Sequence, residues 1–277
     1  MARETGFPAA DAQSDFLRAR RERNLAAVAR RLRREPGDLN VILPFEEVVE
    51  ALGRVGERSL GLKVVDLDHI VGTVDRTHDF DRSFRPTSGR VRSRWERIAQ
   101  AMRRGESIPP VSLYKIGDIH FVRDGHHRVS VARALGRKDI DAYVTEVSTR
   151  VGTGDGIRLS DLPLKGHERL FRERVPLPPG DATRIRLSDP WAYGALAEGV
   201  EAWGFRAMQD RHDFLDRPAV AKLWFDDEYV PVVAMLRDAR MMEDGTEADA
   251  YMRVAAQRYR LLRTHDWSPE VLEQLKK

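Results

Sequence analysis

The chain has 277 residues, of which 42% are hydrophobic and 33% are charged, and its formal net charge is +3. This length allows one large domain or two smaller ones, and the mildly basic balance suits phosphate-bearing partners without by itself indicating nucleic acid. The absence of cysteine excludes disulfides, thiolate metal sites and a cysteine nucleophile. No stretch reaches the roughly 20 apolar residues that a membrane-spanning helix needs, and the N-terminus lacks the apolar core of a secretion signal, so we expect a cytoplasmic protein.

The N-terminal region, residues 1–61, is predicted to be a helical arm. Residues 13–34 are rich in arginine, and Leu25, Val28 and Leu32 follow a helical spacing within them. Such a helix either packs through a narrow apolar stripe or lies on nucleic acid or on an acidic membrane surface. The sequence leaves both interpretations open.

The middle region, residues 62–150, has the pattern of a small mixed sheet with helices. Strands are predicted at 64–67, 111–114, 119–122 and 140–147. Helices are predicted at 43–49, with Pro44 in the first turn, at 91–102 and at 126–135. The second and third strands flank a Gly-Asp turn, which is typical of a hairpin. In the helix at 91–102, apolar residues form one face and arginines cover the other.

The last region, residues 151–277, is predicted to be mainly α-helical. Its large aromatic residues indicate a packing module rather than a DNA-recognition helix: Trp191, Trp203, Trp224, Tyr229 and Trp267. Thr246 and Asp249 have the spacing of a capping box. This module is expected to cover the sheet, to mediate homodimer formation or to shape a substrate pocket. The predicted fold is therefore α/β (α+β), a small mixed sheet with flanking helices followed by a helical module.

The sharpest local pattern is Asp124-Gly125-His126-His127-Arg128, called here the DGHHR turn. It joins a predicted strand to a predicted helix, so the first backbone N–H groups of that helix have no intrahelical partners. These groups and the positive end of the helix dipole attract anions, and Gly125 lets a ligand approach the backbone closely. Arg128 could hold a phosphate with two parallel hydrogen bonds. His126 and His127 could donate hydrogen bonds or move protons near neutral pH.

A carboxylate and a polar loop complete the predicted site. A carboxylate beside a phosphate repels it, so Asp124 is expected to cap the helix, to hold a histidine tautomer or to bind a divalent metal. The polar loop 75–82 could close over the phosphate. Its candidate phosphate ligands are Arg76 and Arg82, and its candidate magnesium ligands are Asp79 and Asp81. The alternative is an ordinary loop whose arginines and aspartates pair with each other.

The sequence around the turn resembles the ParB-like N-terminal domain. The resemblance rests on a Pro-Pro-Val strand in Ile108–Tyr114, a Gly-x-x-Arg turn in Phe121–Arg128 and an alanine-rich helix in Val131–Gly136. Upstream, Val65–Ile70 is similar to the first strand of that family. The resemblance covers about residues 62–147 and implies a ParB/sulfiredoxin-like fold with a phosphate site at the DGHHR turn.

Two branches of this superfamily differ from the chain at the turn. Chromosome-partitioning ParB proteins read Gly-Glu-Arg-Arg there and bind the triphosphate of CTP. Gly125 and Arg128 match that pattern, whereas His126 and His127 do not. Sulfiredoxin reads Gly-Cys-His-Arg, and the histidine in the cysteine position excludes its chemistry because the chain has no cysteine.

The free-serine kinase branch is the most similar at the turn, because Asp-Gly-His-His-Arg is its form. The similarity implies that Asp124 is catalytic together with a glutamate earlier in the chain, for which Glu46 or Glu47 is the candidate. His126 is a further candidate for proton transfer. The expected ligand is a nucleotide (ATP, ADP or CTP) with Mg²⁺, or another phosphorylated small molecule. The expected chemistry is phosphoryl transfer or nucleotide hydrolysis.

Three other functions stay open. A DNA-associated, partition-like nucleotide switch would bind nucleic acid through the basic N-terminal arm and the helix at 91–102, although the pattern of a helix-turn-helix is missing. A ParB-like nuclease would hold its metal at His78, Asp79 and Asp81. A non-enzymatic sensor of a phosphorylated metabolite would use the same turn.

Overall fold

The computed structural model describes residues 5–154, 156–242 and 245–275. Residues 1–4, on which the expectation about a secretion signal partly rests, lie outside the described residues. The chain divides into two compact units, the first extending to Pro163 and the second beginning at Leu164. The first unit contains a mixed sheet with flanking helices and the second is helical, which confirms the predicted fold class. The domain boundary predicted near residue 61 lies within a strand of the sheet.

Six strands among the described residues form the sheet of the first unit. In chain order they are β1 (Leu43–Pro44), β2 (Arg54–Asp66), β3 (Ile70–Thr73), β4 (Val111–Ile116), β5 (Ile119–Asp124) and β6 (Asp139–Thr149). Their spatial order is β1-β3-β5-β4-β6-β2. β1, β3 and β5 are parallel neighbours, so their carboxyl ends meet at one edge of the sheet. The DGHHR turn follows β5 and therefore lies at this edge.

The predicted hairpin is confirmed, since β4 and β5 pair in antiparallel register. β2 is much longer than the predicted strand at 64–67, because it pairs with β6 along its whole length. The side chains of β2 are mostly exposed. A strand that is exposed on both sides lacks the alternation of apolar and polar residues by which strands are predicted, which explains why the sequence indicated only its last part.

Helices cover both faces of the sheet. In chain order they are α1 (Pro8–Leu32), α2 (Phe45–Leu52), α3 (Arg92–Arg103) and α4 (His126–Ala134). Successive residues of a strand point to opposite faces, and Phe121 and Val122 of β5 belong to separate cores. The core around Val122 includes Trp95 of α3, whereas the core around Phe121 includes Phe45 of α2. The predicted helices are thus confirmed, with Pro44 preceding α2 rather than lying in its first turn.

α1 is confirmed as a helix but packs differently from the expected stripe. Its first half lies against α3, where the rings of Phe16 and Trp95 meet edge to face with centroids 5.5 Å apart. The residues of the predicted stripe are exposed: Leu25, Val28 and Leu32. No residue of α1 after Ala19 is buried. The stripe is not a packing face, because the part of α1 that is covered ends before the stripe begins.

The second unit is built from helices and has its own core. The α-helices are α5 (Leu162–Arg174), whose first two residues belong to the first unit, α6 (Pro179–Ala182), α7 (Tyr193–Arg211), α8 (Arg217–Trp224), α9 (Val230–Asp238), α10 (Glu247–Leu262) and α11 (Pro269–Leu275). A π-helical turn joins α8 to α9. Trp224 and Tyr229 are fully buried, as expected of a packing module, whereas Trp191 is exposed. Within the described parts of the chain, no helix is long and apolar enough to cross a membrane.

Candidate functional site

The DGHHR turn has the strand–turn–helix geometry that the sequence predicts. β5 ends at Asp124, Gly125 has a φ of 101° and α4 begins at His126. A Cβ atom at Gly125 would lie 2.5 Å from Cγ1 of Val111, so both the backbone conformation and the packing against β4 require glycine. No side chain caps α4 at Gly125. The first N–H groups of α4 are therefore left for another partner.

Arg128, the expected phosphate ligand, forms hydrogen bonds with neighbouring groups of the protein. Its Nη1 donates hydrogen bonds to the backbone carbonyl oxygens of Pro109 and Pro110, at 2.6 and 2.8 Å. Its Nη2 donates to Oδ2 of Asp124 at 2.5 Å. The guanidinium thus ties the segment that enters β4 to the DGHHR turn. Arg128 shapes the turn before it binds any ligand.

His126 is held by the carboxyl end of β3. Its Nε2 lies 2.7 Å from Oγ1 of the buried Thr73 and 3.4 Å from Oδ1 of Asp75. Oγ1 of Thr73 also accepts a hydrogen bond from the backbone N–H of Arg76 at 3.1 Å. Burial lowers the pKa of His126 below its ordinary value, although the nearby Asp75 opposes the shift. The ring therefore links the turn to the loop that follows β3.

His127 is the most informative side chain of the turn. It is buried, and its Nδ1 has no hydrogen-bond partner among the described residues. Its ring packs edge to face against Phe80 with centroids 5.5 Å apart. Burial lowers the pKa of His127 to about 4, and the positive charges of Arg94 and Arg76 add to the effect. Burying an unpaired polar nitrogen costs about 1–3 kcal/mol, so a water or a ligand that pairs with this atom would be stabilising.

These groups surround one small pocket of about 50 Å³. Its lining consists of Arg76, Arg94, Ile98 and the five residues of the DGHHR turn, Asp124, Gly125, His126, His127 and Arg128. Arg94 and Ile98 lie one helical turn apart on α3. The guanidinium of Arg94 forms no hydrogen bond or ion pair with any residue that the structure describes. The pocket is thus lined by an arginine without an ion-pair partner, by a buried histidine and by an uncapped helix start.

The loop residues predicted for the site divide into two groups. Arg76 lines the pocket and pairs with Asp79 at 3.0 Å, so Asp79 neutralises part of its charge. Asp81 is buried and accepts four hydrogen bonds, including two from Arg85, so it organises its own loop. Arg82 donates to the backbone oxygen of Ile157 at 2.8 Å and does not line the pocket. Neither Asp81 nor Arg82 lines the pocket, and the hydrogen bonds of each are made to other parts of the first unit.

The predicted metal ligands do not form a cluster of three or more side chains among the described residues. No group of three or more histidine and acidic side chains within the described residues is arranged to hold a metal ion, and His78, Asp79 and Asp81 form none. The side chain of Asp124 is 68% exposed, with one oxygen on Arg128. Asp75, which the sequence did not indicate, is the other exposed carboxylate beside the turn.

Glu46 and Glu47 lie in the first turn of α2, which begins where β1 ends. β1, β3 and β5 end at the same edge of the sheet, so both glutamates lie at the edge that carries the DGHHR turn. Both are exposed, and within the described residues neither forms a hydrogen bond or an ion pair. The glutamates and the turn thus share one edge of the sheet, with no hydrogen bond or ion pair between them.

Sequence reasoning missed three residues of the site. Thr73 and Asp75 belong to the end of β3 and the loop after it, and the parallel pairing of β3 with β5 is what brings them to His126. Arg94 is one of several arginines on α3, and its spacing does not distinguish it from the others.

Comparisons with protein-family models, with curated proteins and with solved structures found no match to this chain.

Proposed function

We propose that this chain binds the phosphate group of a nucleotide or of another phosphorylated small molecule at the DGHHR turn, in the manner of a ParB-like domain. One observation carries the proposal: the uncapped start of α4, the buried ring of His127 and the unpaired Arg94 all line one pocket. A single oxyanion accepts hydrogen bonds from all three kinds of donor and balances the positive charge. An uncharged ligand would leave Arg94 without a counter-charge.

The size of the pocket limits the kind of ligand. At about 50 Å³ it is far below the roughly 300 Å³ at which pockets for drug-sized molecules begin. It suits one phosphate group, so the rest of the ligand would extend along the surface. The exposed guanidinium of Arg76 stands at the rim, where it could contact a neighbouring phosphate.

The carboxylates of the site suit a magnesium ion that arrives with a nucleotide. Mg²⁺ commonly binds one or two protein carboxylates together with substrate phosphates and water. Asp124 and Asp75 are the residues that would hold it, because both are exposed beside the turn. When bound, the ion neutralises charge on the phosphate oxygens.

We further propose phosphoryl transfer or nucleotide hydrolysis as the chemistry. The bond between the terminal phosphorus and its bridging oxygen breaks, and a bond forms from phosphorus to the oxygen of an acceptor hydroxyl or of water. The proton of that oxygen goes to a carboxylate, for which Asp124, Glu46 and Glu47 are the candidates. Arg94, His127 and the N–H groups of α4 stabilise the charge on the transferred group.

The first experiment is a thermal-shift panel with inorganic phosphate, ATP, ADP, CTP and GTP, each with and without Mg²⁺. Arg94→Ala is the test variant, because Arg94 lines the pocket and forms no hydrogen bond or ion pair among the described residues. Arg97→Ala, an exposed arginine of the same helix, is the matched control. A ligand at 100 times its Kd stabilises the native state by about 2.7 kcal/mol. We expect wild type and Arg97→Ala to respond to at least one ligand, and Arg94→Ala to bind it about tenfold more weakly.

Two outcomes contradict the proposal. Either no ligand shifts the wild-type transition, or Arg94→Ala and Arg97→Ala respond alike. Binding followed by release of ADP or inorganic phosphate would support phosphoryl transfer or nucleotide hydrolysis. Binding without turnover would support a non-enzymatic sensor. Arg128→Ala is a poorer variant, since it removes three hydrogen bonds that hold the turn.

A DNA-associated nucleotide switch is the second candidate. The observation that favours it is the second half of α1, where residues 20–32 are never buried and several are arginines. Neutralising phosphates of duplex DNA with these arginines would make the affinity fall steeply with salt. Fluorescence anisotropy of a labelled duplex at several salt concentrations tests this function, and an affinity that does not depend on salt contradicts it.

A further inference from the structure

The second unit contains a larger and more apolar pocket between α5, α7 and α8. Its volume is about 330 Å³, which lies within the roughly 300–1,000 Å³ of small-molecule sites. Apolar side chains dominate the lining: Val175, Val200, Phe205, Met208, Leu215 and Val220. None of the functions considered above uses this pocket.

A close contact between two helices forms one wall of the pocket. A Cβ atom at Gly204 of α7 would lie 2.4 Å from Cγ1 of Val220, on α8. α7 and α8 therefore meet at Gly204 more closely than any other residue would allow. The pocket lies beside this contact, and both Gly204 and Val220 line it. Such a wall is rigid, because it is built from helix backbone rather than from a loop.

The rim of the pocket carries one excess positive charge. Arg174 and Glu201 neutralise each other through two hydrogen bonds, from Nε at 2.9 Å and from Nη2 at 2.8 Å. Arg217 forms no hydrogen bond or ion pair with any residue that the structure describes. Its charge acts on Glu201, whose pKa is lowered chiefly by the hydrogen bond from Arg174 and in smaller part by Arg217.

An exposed aromatic ring lies beside this charge. The side chain of Phe205 is 59% exposed although it lines the pocket. Large apolar groups at a concave surface gain free energy when a ligand removes them from water, by about 25 cal/mol for each Å² covered. The combination of apolar walls, an exposed ring and one free guanidinium is amphipathic.

We propose that this pocket binds an apolar carboxylate, with its hydrocarbon part against Val200, Phe205 and Met208 and its carboxylate on Arg217. A guanidinium binds a carboxylate through two parallel hydrogen bonds, and this geometry gives the ligand its orientation. An apolar molecule without the acid would leave the cation unbalanced, and a small polar anion would leave the walls in contact with water. The hydrocarbon part is either a flexible chain or a ring system, and both share this chemistry.

Isothermal titration calorimetry with three probes tests the proposal on the full chain. The probes are decanoate, naphthalene-2-carboxylate and the uncharged decanol. We expect at least one of the two acids to bind saturably, and decanol to bind at least tenfold more weakly. The acid that binds more tightly tells whether the pocket prefers a chain or a ring.

Matched variants locate the binding. Arg217→Ala and Phe205→Ala are expected to weaken the acid at least tenfold and about threefold, respectively, since one removes the charge and the other part of the apolar contact. Arg260→Ala and Phe214→Ala are the controls, because both residues are exposed and neither lines the pocket. The proposal is overturned if neither acid binds, if decanol binds equally well, or if the control variants weaken binding as much as the test variants.

Discussion

The helices α4 and α10 begin in opposite ways. Thr246 caps α10, since its Oγ1 accepts a hydrogen bond from the backbone N–H of Asp249 at 3.1 Å. Oδ2 of Asp249 in turn accepts a hydrogen bond from the backbone N–H of Thr246 at 2.8 Å. This reciprocal pair confirms the predicted capping box. α4 starts after Gly125, which has no side chain to offer. The start of α10 is capped by its own side chains, whereas the start of α4 has no side-chain cap.

This difference distinguishes the proposed phosphate site at α4 from a helix start that is purely structural. Both helices expose the same kind of backbone N–H groups, so the helix dipole alone does not make a site. At α4 the surrounding side chains are also unsatisfied, as Nδ1 of His127 and the guanidinium of Arg94 illustrate. At α10 the neighbouring Ser188 adds further hydrogen bonds to Asp249 and closes the region. The predictions below test this contrast.

The largest effect is expected from the core that supports α4. Trp95 is fully buried, and its Nε1 donates a hydrogen bond to Oγ of Ser130 in α4 at 2.8 Å. Replacing Trp95 by alanine should lower the free energy of unfolding by about 3–5 kcal/mol, measured by urea denaturation. The exposed Trp191 is the control, and Trp191→Ala should change stability by no more than about 0.5 kcal/mol. Similar losses in both variants would contradict the assigned core.

Gly125→Ala should damage both the fold and the binding of phosphate. The residue has a positive φ, and its new Cβ would clash with Val111, so we expect a loss of more than about 2 kcal/mol. Gly136→Ala is the matched control, because Gly136 also has a positive φ but has open space around it. Denaturation with and without phosphate measures both effects. Equal losses in the two variants would show that close packing at Gly125 does not matter.

The stability should fall as the pH is lowered from about 6.5 to about 4. Burial holds the pKa of His127 and of His120 at about 4, whereas histidine in an unfolded chain has a pKa of about 6.5. Within this window the unfolded state binds more protons, so protonation favours unfolding, by on the order of 2 kcal/mol for each residue. His127→Gln should flatten the pH dependence measured by denaturation. The exposed His78 is the control, and a similar flattening in His78→Gln would refute the assignment.

Thr246→Ala should have the smallest effect. Loss of the cap leaves a backbone N–H of α10 without its partner and should cost about 1 kcal/mol. The response to phosphate should stay the same, because the start of α10 is not the proposed site. Thermal unfolding with and without phosphate measures both quantities. A weaker phosphate response in this variant would contradict the proposal that phosphate binds at the start of α4 and not at the start of α10.

Most of the fold could be predicted because its signals are local. The hairpin, the strand–turn–helix segment at residues 119–134 and the capping box at Thr246 each depend on neighbouring residues whose types indicate one geometry. β2 was predicted only in part, because an exposed edge strand has no apolar face to reveal it. The spacing of Leu25, Val28 and Leu32 predicted the helix correctly but not the part of it that is buried. Spacing alone does not tell which part of a helix another helix covers.

The sequence by itself determined where the DGHHR turn lies, because the chain reverses there through a positive φ that glycine adopts readily and other residues rarely adopt. Only the tertiary structure decided what each side chain does there. It brought Arg94 to the pocket from α3 and directed Arg128 to the carbonyl groups of Pro109 and Pro110. It also formed the pocket beside Gly204, which has no sequence motif. These outcomes depend on contacts between residues far apart in the chain, and such contacts leave no local pattern to read.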